Sequence, residues 1–563
     1  MSHNFLPMMY NKRIIFPILS TSILLILLCL PGLVFFGEQK SLVNVLYAVI
    51  VPLAFFILPL VAFHKFIRVY TSVIVILILL APLATFPVIY FGDLVGKDMI
   101  LIAFNTTRQE ASELIKGYII WIIIVYTIYV TLIWISVRML PKKTSLRTSI
   151  VLSSAALVLL FSLAIFRSGP RSILHNTKAM LCTYYPFHLA YAIEAFYKQQ
   201  LDVEKSEKYI RNFPYKDVKT GNLSGRQVYV LIIGETSRFD HWQINGYDRA
   251  TSPLMMNQPR LLNYEDVSAA GCLTELSVPQ ILTGVSPETY DMHLHKGGII
   301  QIFHQAGFHT FWISNQTDNG NIGMHADLAD SAIWMQNTIA SHKHLYYDID
   351  LVNSMKAVLN GDSANCLFVL HTIGSHYDYT DRYPERFEEF KPVFRTEMHR
   401  PTDKSSKGEL INSYDNTILY TDFVIDSVIH ILDNLHCISA MLYTSDHGEN
   451  LFDDSKNLVL HAPIPPTYYI AHIPFFIYGS KDYTNAFPLK WKNLKNHLNN
   501  KLSNNQTFET LADMAGIKFS AQNLHNSIAD STFINSPQKI LGPNSKVYLY
   551  SQLKSDRNNS TKN

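Results

Sequence analysis

Five long apolar runs near the N-terminus constrain this chain more than any other feature. They cover residues 14–36, 42–63, 70–91, 118–135 and 150–166. A helix needs roughly 20 apolar residues to cross the hydrocarbon core of a bilayer, and a soluble protein would need five such core helices in succession. The first run lacks a small-residue cleavage site after it, which is typical of a retained helix rather than of a signal peptide. The runs predict a transmembrane domain of five helices over residues 1–168.

Basic residues indicate how these helices are oriented. Three groups fall on one side of a five-helix arrangement: Lys12 and Arg13; Lys65 and Arg68; and Arg138, Lys142, Lys143 and Arg147. The positive-inside rule makes that side cytoplasmic. Arg167 and Arg171 lie on the other side and oppose this assignment. An odd number of crossings places everything after about residue 167 outside the cytoplasm, together with the loop of residues 92–116.

Two polar segments adjoin the apolar runs. Residues 105–114 (NTTRQEASEL) are helix-compatible and predict either a solvated interfacial helix or a lid over a soluble domain, and the pattern by itself favours the first. Residues 169–219 contain an aromatic stretch and then a charged stretch, which predict an interfacial helix and a linker.

The second half of the chain has the pattern of a globular α/β domain. Short apolar runs at residues 228–233, 309–314, 366–371, 440–444 and 474–479 predict buried strands, and stretches such as 298–306 and 411–434 predict helices. This alternation is typical of an α/β sandwich with a mostly parallel sheet. The net charge of +2, without a basic patch interleaved with aromatic residues, argues against nucleic acid as a partner.

Polar side chains follow three of the predicted strands, at the edge where ligands of such sheets bind. Glu235 follows the first strand, His376 the third, and Asp446 with His447 the fourth, while His461 comes shortly afterwards. Carboxylates and neutral imidazoles are the usual oxygen and nitrogen ligands of zinc. A single buried histidine is more often a core residue, and a single acid at a strand end is often a helix cap. Four such groups at one edge favour a metal site.

Zinc would also activate a nearby hydroxyl, because the cation stabilises the alkoxide. The spacing identifies neither the metal nor the activated hydroxyl. Thr236, Thr274 and Ser277 are therefore all candidates for the nucleophile at this point.

Several motifs resemble those of the lipid A and lipopolysaccharide phosphoethanolamine transferases, a membrane-anchored branch of the alkaline-phosphatase and sulfatase superfamily. They are VYVLIIGETSRFDHWQINGYDRATSP (228–253), TELSVP (274–279), GSH (374–376), NSYDN (412–416), SDHGE (445–449) and LH (460–461). With the apolar runs, the resemblance covers nearly the whole chain. It implies a five-helix transmembrane bundle, an interfacial helix and linker over residues 169–219, and an α/β/α sulfatase-like catalytic domain over 220–563 in the periplasm, anchored in a bacterial inner membrane.

The resemblance also implies roles for individual residues. The ligands of one tightly bound zinc correspond to Glu235, Thr274, Asp446 and His447, with Thr274 as the nucleophile. Groups that bind substrate or a second zinc correspond to His376 and His461, to Thr317, and, in the membrane-proximal loop, to Thr106 and Glu110.

The implied reaction moves phosphoethanolamine from phosphatidylethanolamine to lipid A or lipopolysaccharide through a phosphothreonine, releasing diacylglycerol, and we expect the enzyme to be a monomer. Phosphoglycerol transfer, phosphodiester hydrolysis, or transfer to a glucan or protein would use the same metal site. A non-catalytic membrane scaffold is a remote alternative, because all the core ligands are present.

The sequence departs from the family at three places. Ile102 replaces an asparagine, Gly320 aligns with a lysine that contacts phosphate, and Cys272 has no partner cysteine beside the nucleophile. We therefore expect packing rather than a disulfide to hold the nucleophile loop.

Overall fold

The computed structural model describes residues 6–38, 40–91, 94–105, 118–168, 182–221, 225–317, 320–338, 346–395, 403–455, 457–461 and 463–560. The chain forms two compact units, one within residues 1–198 and the other mainly within 199–563. The helices described up to residue 211 are α1 (Leu6–Glu38), α2 (Leu42–Ile57), α3 (Leu60–Phe63), α4 (Ile67–Phe91), α5 (Lys97–Asn105), α6 (Ile119–Met139), α7 (Leu146–Ser168) and α8 (Phe187–Arg211).

Four of these helices contain a segment long and apolar enough to cross a membrane: Ile15–Gly37, Ile67–Ile89, Ile119–Met139 and Leu146–Leu163. The predicted second span is divided between α2 and α3, which are separated by Leu58 and Pro59. Proline has no N–H to donate to a helical ladder. With 16 residues, α2 alone is roughly 24 Å long, shorter than a hydrocarbon core of about 30 Å.

The first unit presents apolar side chains outward. Phe166 is 83% exposed, Ile120 68% and Val73 63%, whereas Val51 and Ala81 are fully buried between helices. A water-soluble protein rarely exposes so much contiguous apolar surface, and lipid chains would cover it at no such cost. The helical unit is therefore built to be embedded in a membrane.

Two of the basic groups used to orient the helices lie at the same end of this unit. The Arg68 side chain donates from Nε to the carbonyl of Leu140 at 2.9 Å, and the amide of Thr144 donates to the carbonyl of His64 at 2.7 Å. These bonds join the segments that carry Lys65 and Lys142, so both groups face one side of the membrane.

The strands are β1 (Gln227–Gly234), β2 (Leu261–Asn263), β3 (Val267–Ser268), β4 (His309–Ser314), β5 (Ser331–Trp334), β6 (Cys366–His371), β7 (Ile438–Ser445), β8 (Asn450–Leu451), β9 (Val459–Leu460), β10 (Phe475–Gly479), β11 (Leu502–Ser503), β12 (Lys539–Leu541) and β13 (Val547–Leu549). The later helices are α9 (Thr274–Thr283), α10 (Ile299–Gln305), α11 (Gly320–Ala326), α12 (Ile349–Gly361), α13 (Lys407–Asn434), α14 (Tyr468–Ala471), α15 (Lys481–Ala486), α16 (Pro488–Asn496), α17 (Thr507–Met514) and α18 (Tyr550–Ser560).

Seven strands form the central sheet in the order β2-β10-β7-β1-β6-β4-β5. The pairs among β7, β1, β6, β4 and β5 are parallel, and β10 is antiparallel to both of its neighbours. The prediction of a mostly parallel sheet is confirmed. The strands His309–Ser314 and Cys366–His371 have the predicted bounds, and the other three predicted strands differ by at most two residues at an end.

Helices contact both faces of the central strand β1. Val230 lies in a core cluster with Leu351 of α12 and Ile425 of α13. Side chains alternate along a strand, so Tyr229 points to the other face, where its ring centroid is 5.8 Å from that of Phe303 in α10. Burial on both faces explains why β1 is an uninterrupted apolar run.

The register of the sheet brings three strand ends together. In β1, Ile233 is paired with His371 of β6, and Gly234 is paired with Ser445 of β7. Whatever follows β1, β6 and β7 in the sequence must therefore emerge at the same edge.

Candidate metal centre

Three potential metal ligands meet where β1 and β7 end. Glu235 directly follows β1, and Asp446 and His447 directly follow β7. One ligand atom from each of these residues lies within 4.8 Å of the others, and each residue is at most 1% exposed. The structure therefore brings together the predicted ligands, as the shared sheet edge required.

Unpaired atoms point into the space between these side chains. Within the described part of the chain, Glu235 Oε1 and Asp446 Oδ2 are buried and have no hydrogen-bond partner. The Nε2 atom of His447 is 3.7 Å from Glu235 Oε1 and 3.5 Å from Asp446 Oδ2. Its Nδ1 lies 2.8 Å from the carbonyl of Gly448, a partner that can only accept, so Nδ1 carries the proton and Nε2 presents a lone pair to the cluster.

The electrostatics of this cluster call for a cation. Burial raises the pKa of Glu235 well above its usual range, and the adjacent Asp446 carboxylate raises it further. Burial lowers the pKa of His447, which keeps the imidazole neutral. Two buried carboxylates and a neutral imidazole match the ligand set of Zn²⁺, so the residues present fit that ion.

Thr274 supplies a hydroxyl to the same cluster. It is the first residue of α9, and its Oγ1 donates to Glu235 Oε2 at 3.0 Å and lies 3.5 Å from His447 Nε2. The rival hydroxyls are placed differently. Ser277 donates to the main-chain carbonyl of Asp446 at 2.7 Å, and Thr236 contacts the Asp446 carboxylate through its backbone amide. Of these three hydroxyls, that of Thr274 is the one hydrogen-bonded to a carboxylate of the cluster.

Gln316 is a contact that the sequence analysis missed. Its Nε2 donates to Glu235 Oε2 at 2.9 Å and to the carbonyl of Thr372 at 2.8 Å, so it orients the Glu235 carboxylate. A signal was available, because Gln316 lies two residues beyond β4, another strand of the same sheet. Thr317, the predicted substrate contact, is the next residue and is partly buried.

A second group of potential ligands adjoins the first. The ring of His461 lies 4.9 Å from that of His447 and 6.1 Å from that of His376, between centroids. Glu449, which was not among the predicted site residues, is fully buried, and its Oε1 is 3.5 Å from His461 Nδ1. Burial by itself would lower the pKa of His461, but the Glu449 carboxylate outweighs it and raises that pKa. Thr106 and Glu110 lie outside the described residues, as does most of the 105–114 segment.

The nucleophile loop contains no disulfide. None of the five cysteines, all of which lie in the described residues, forms a disulfide, and Cys272 is buried. The side-chain amide of Gln280 donates to the carbonyl of Ala270 at 3.0 Å and to that of Leu276 at 2.8 Å. Packing and hydrogen bonds rather than a disulfide therefore hold this loop.

Two protein families match the sequence. The sulfatase family matches residues 227–517, and the family described as phosphoethanolamine transferase EptA/EptB matches residues 50–201. The phosphoethanolamine transferase EptA of Escherichia coli K12 is 26% identical over 497 residues, which cover 83% of this chain and 88% of that protein. EptC of the same strain is 25% identical over 516 residues, which cover 88% of each chain.

Solved structures agree with these matches. The integral membrane protein lipooligosaccharide phosphoethanolamine transferase A of Neisseria meningitidis superposes with a TM-score of 0.70 at 25% identity, covering 90% of this chain and 98% of that one. The periplasmic domain of E. coli EptC, in complex with zinc, superposes with a TM-score of 0.55 at 25% identity, covering 60% of this chain and 97% of that domain.

Proposed function

We propose that this chain, which belongs to the sulfatase family and to its membrane-anchored phosphoethanolamine transferase branch, moves phosphoethanolamine from phosphatidylethanolamine to lipid A of lipopolysaccharide. One observation carries the proposal. The hydroxyl of Thr274 is hydrogen-bonded to a buried carboxylate in a cluster of three metal-type ligands, two of whose oxygens have no partner among the described residues.

The residues that would hold one zinc ion are Glu235, Asp446 and His447, with Thr274 as the fourth ligand. When bound, zinc stabilises the threonine alkoxide and neutralises charge on the phosphoryl oxygens. His376, His461 and Glu449 form the adjoining group that would bind the substrate phosphate or a second zinc.

The transfer proceeds in two displacements at phosphorus. In the first, Thr274 Oγ1 loses its proton and bonds to the phosphorus of phosphatidylethanolamine, the bond from phosphorus to the glycerol oxygen breaks, and that oxygen takes up a proton as diacylglycerol leaves. In the second, an acceptor oxygen of lipid A bonds to the same phosphorus, the bond from phosphorus to Thr274 Oγ1 breaks, and Oγ1 takes up a proton again.

A histidine beside the reacting phosphate moves the protons in these steps. His461 is our candidate for this role, because its ring lies 4.9 Å from that of His447 and its Nδ1 is 3.5 Å from Glu449 Oε1. A carboxylate at Nδ1 favours the protonated ring, which can donate to the leaving oxygen from Nε2. The ring of His376 is 6.1 Å from that of His461, and His376 would contact the phosphate or the acceptor.

Membrane embedding follows from the same chemistry, since donor and acceptor are both lipids. We assign the chain to the bacterial inner membrane as a monomer, with α2 and α3 together completing a fifth crossing and an α/β/α catalytic domain in the periplasm. Thr106 and Glu110 would contact the ethanolamine head group from the loop of residues 92–116, and Thr317 would contact the phosphate. Residues 169–219 would form the interfacial connection.

The experiment compares envelope lipids from cells that express the wild-type chain or Thr274→Ala. Mass spectrometry should detect phosphoethanolamine on lipid A with the wild type alone. The purified full chain in detergent, supplied with phosphatidylethanolamine, should release diacylglycerol and leave phosphoethanolamine on the peptide that contains Thr274. A modified glucan or protein with unmodified lipid A would reject the proposed acceptor, and turnover of phosphatidylglycerol instead would reject the proposed donor.

A further inference from the structure

One buried side chain outside the sequence motifs contacts both the nucleophile loop and the turn that carries Asp446. Asn504 is fully buried and begins a short 3-10 helix, Asn504–Gln506, directly after β11. It lies more than 200 residues along the chain from the nucleophile, and no motif drew attention to it.

The amide of Asn504 bonds to three separate segments. Its Oδ1 accepts from the backbone N–H of Ala270 at 2.8 Å, just before the nucleophile loop. Its Nδ2 lies 3.1 Å from Ser277 Oγ, one turn into α9, and 3.1 Å and 3.0 Å from the carbonyls of Ser445 and Asp446. The segment before Thr274, the helix that begins at Thr274 and the turn that carries the metal ligands are thus joined through one side chain.

The same region has a second direct link and a tight backbone approach. Ser277 Oγ donates to the Asp446 carbonyl at 2.7 Å. A Cβ atom at Gly271 would lie 2.6 Å from the carbonyl carbon of Leu276 and from the amide nitrogen of Ser277, so this loop folds closely onto the first turn of α9. The position of Thr274 relative to Asp446 is therefore set by short polar contacts in a loop that has no disulfide.

We propose that Asn504 is a positioning residue that holds Thr274 against the Glu235, Asp446 and His447 cluster before metal or substrate binds. The inference rests on the proposed roles of Thr274 and the cluster, but not on the identity of the acceptor. A primary amide suits the task, because it accepts from Ala270 and donates toward two carbonyls at once. A carboxylate in its place would only accept, and would face those carbonyls without a donor.

The test uses the full chain in detergent with Asn504→Asp and Asn504→Ala. The matched control is Asn505→Ala, because Asn505 belongs to the same 3-10 helix and its Nδ2 donates to the carbonyl of Val285 at 3.0 Å instead. Three quantities are measured: zinc affinity by competition with a chromophoric chelator, kcat and KM for phosphatidylethanolamine turnover, and the Tm of the metal-free protein.

We expect Asn504→Asp to weaken zinc binding and to lower kcat, each by about tenfold or more. KM should change by less than about twofold, because the substrate contacts are untouched. Asn505→Ala should match the wild type in zinc affinity and kcat. A variant that loses Tm but retains wild-type zinc affinity and kcat would show a merely structural role and overturn the proposal.

If neither Asn504 variant folds, Ser277→Ala is tested instead. It removes the hydrogen bond from Ser277 to the Asp446 carbonyl and leaves the Asn504 side chain in place. A smaller loss of zinc affinity and kcat in the same direction supports the proposal, and wild-type values for both overturn it. Failure of the proposed function is a separate result. It would appear as a wild-type chain that binds zinc but does not turn over phosphatidylethanolamine, and the zinc competition still tests Asn504 in that case.

Discussion

Two acidic clusters draw on the same two segments, those that follow β1 and β7, and their charges are balanced in different ways. In the first, the Arg238 guanidinium contacts Asp240 at 2.8 Å and Asp453 at 2.7 Å. It also lies 4.6 Å above the ring of Tyr469. Burial would raise the pKa of Asp240, but Arg238 outweighs it and holds that pKa below its usual range. In the second cluster, Glu235 and Asp446 face a neutral His447, and the pKa of Glu235 is raised.

The difference between the clusters lies in the source of the cation. The loop after β1 supplies Glu235 to one cluster and Arg238 to the other. Asp446 directly follows β7, whereas Asp453 follows the short strand β8. A protein that buries carboxylates must neutralise them. The arginine does so permanently in one cluster, whereas the open oxygens of the other leave that task to a bound ion. The first cluster is thus structural and the second is the candidate site.

The largest effect should come from the hydroxyl that distinguishes the metal cluster. Replacing Thr274 by alanine removes the nucleophile but leaves Glu235 bonded to Gln316. We expect transfer to fall by a factor on the order of 10⁴ or more, measured as diacylglycerol release, while zinc content falls much less. Near-normal transfer by Thr274→Ala would exclude the covalent mechanism and reopen Thr236 and Ser277 as candidates.

Substitution of Arg238 should lower the stability of the protein by the same amount in the presence and in the absence of zinc. Arg238→Met leaves Asp240 and Asp453, which are partly exposed, without their cation, and we expect a loss of about 1–3 kcal/mol in the free energy of unfolding. The loss is measured by chemical unfolding. Arg211→Met is the control, because Arg211 is 53% exposed in its pair with Glu207, and that change should cost less than about 0.5 kcal/mol. If zinc restored the stability of Arg238→Met to the wild-type value, the assignment of a structural role to this cluster would be wrong.

The metal cluster should respond to zinc instead. At a zinc concentration about 100 times the Kd, the wild type should gain roughly 2.7 kcal/mol over the chelated protein. Glu235→Gln should abolish most of this gain.

The metal-free Glu235→Gln protein should nevertheless be at least as stable as the metal-free wild type. A carboxyl whose folded pKa is raised loses stability as pH rises from its unfolded pKa toward the folded one, and the amide has no such loss. The difference should therefore grow from pH 5 to pH 8 in thermal unfolding. An equal zinc-induced gain in both proteins would argue against Glu235 as a ligand.

The last effect concerns Glu509, a buried carboxyl that belongs to neither cluster. Burial raises the pKa of Glu509 to about 7, and the charge of Lys296 only partly opposes this. Stability should fall as pH rises between 4.5 and 7, and Glu509→Gln should remove that fall, with a gain of roughly 1–3 kcal/mol at pH 8 and little change at pH 4. Because Glu509 lies outside the metal cluster, zinc should not alter this gain. A gain that depends on zinc would show that Glu509 is coupled to the metal cluster and would contradict this prediction.

The strands and the first ligands were predictable for a local reason. Buried parallel strands are continuous apolar runs, so the runs ending before Glu235 and Asp446 could be located within two residues, and parallel strand ends must share an edge. The division of the second apolar run was not predicted, although Pro59 was visible in it. A hydropathy pattern reflects the free energy of transferring side chains from water to lipid, and it does not show which backbone hydrogen bonds form.

Contacts made across long sequence distances could not be predicted in this way. Gln316 and Glu449 follow strands of the sheet and Asn504 follows β11, but the local sequence pattern does not tell which distant atom each side chain meets. Their importance comes from which hydrogen-bonding atom each meets: a carboxylate oxygen for Gln316, an imidazole nitrogen for Glu449, and the segments on both sides of Thr274 for Asn504.

The sequence by itself determined that this chain has a membrane-embedded helical part and an α/β domain with acids and histidines at one sheet edge, because hydrophobic periodicity and residue chemistry are local properties. The tertiary structure decided which groups form one site. It paired Arg238 with Asp240 and Asp453, left Glu235 and Asp446 facing His447, and placed Thr274 rather than Ser277 at the carboxylate. Those outcomes depend on interatomic distances of a few ångströms, and only the folded packing of distant segments sets such distances.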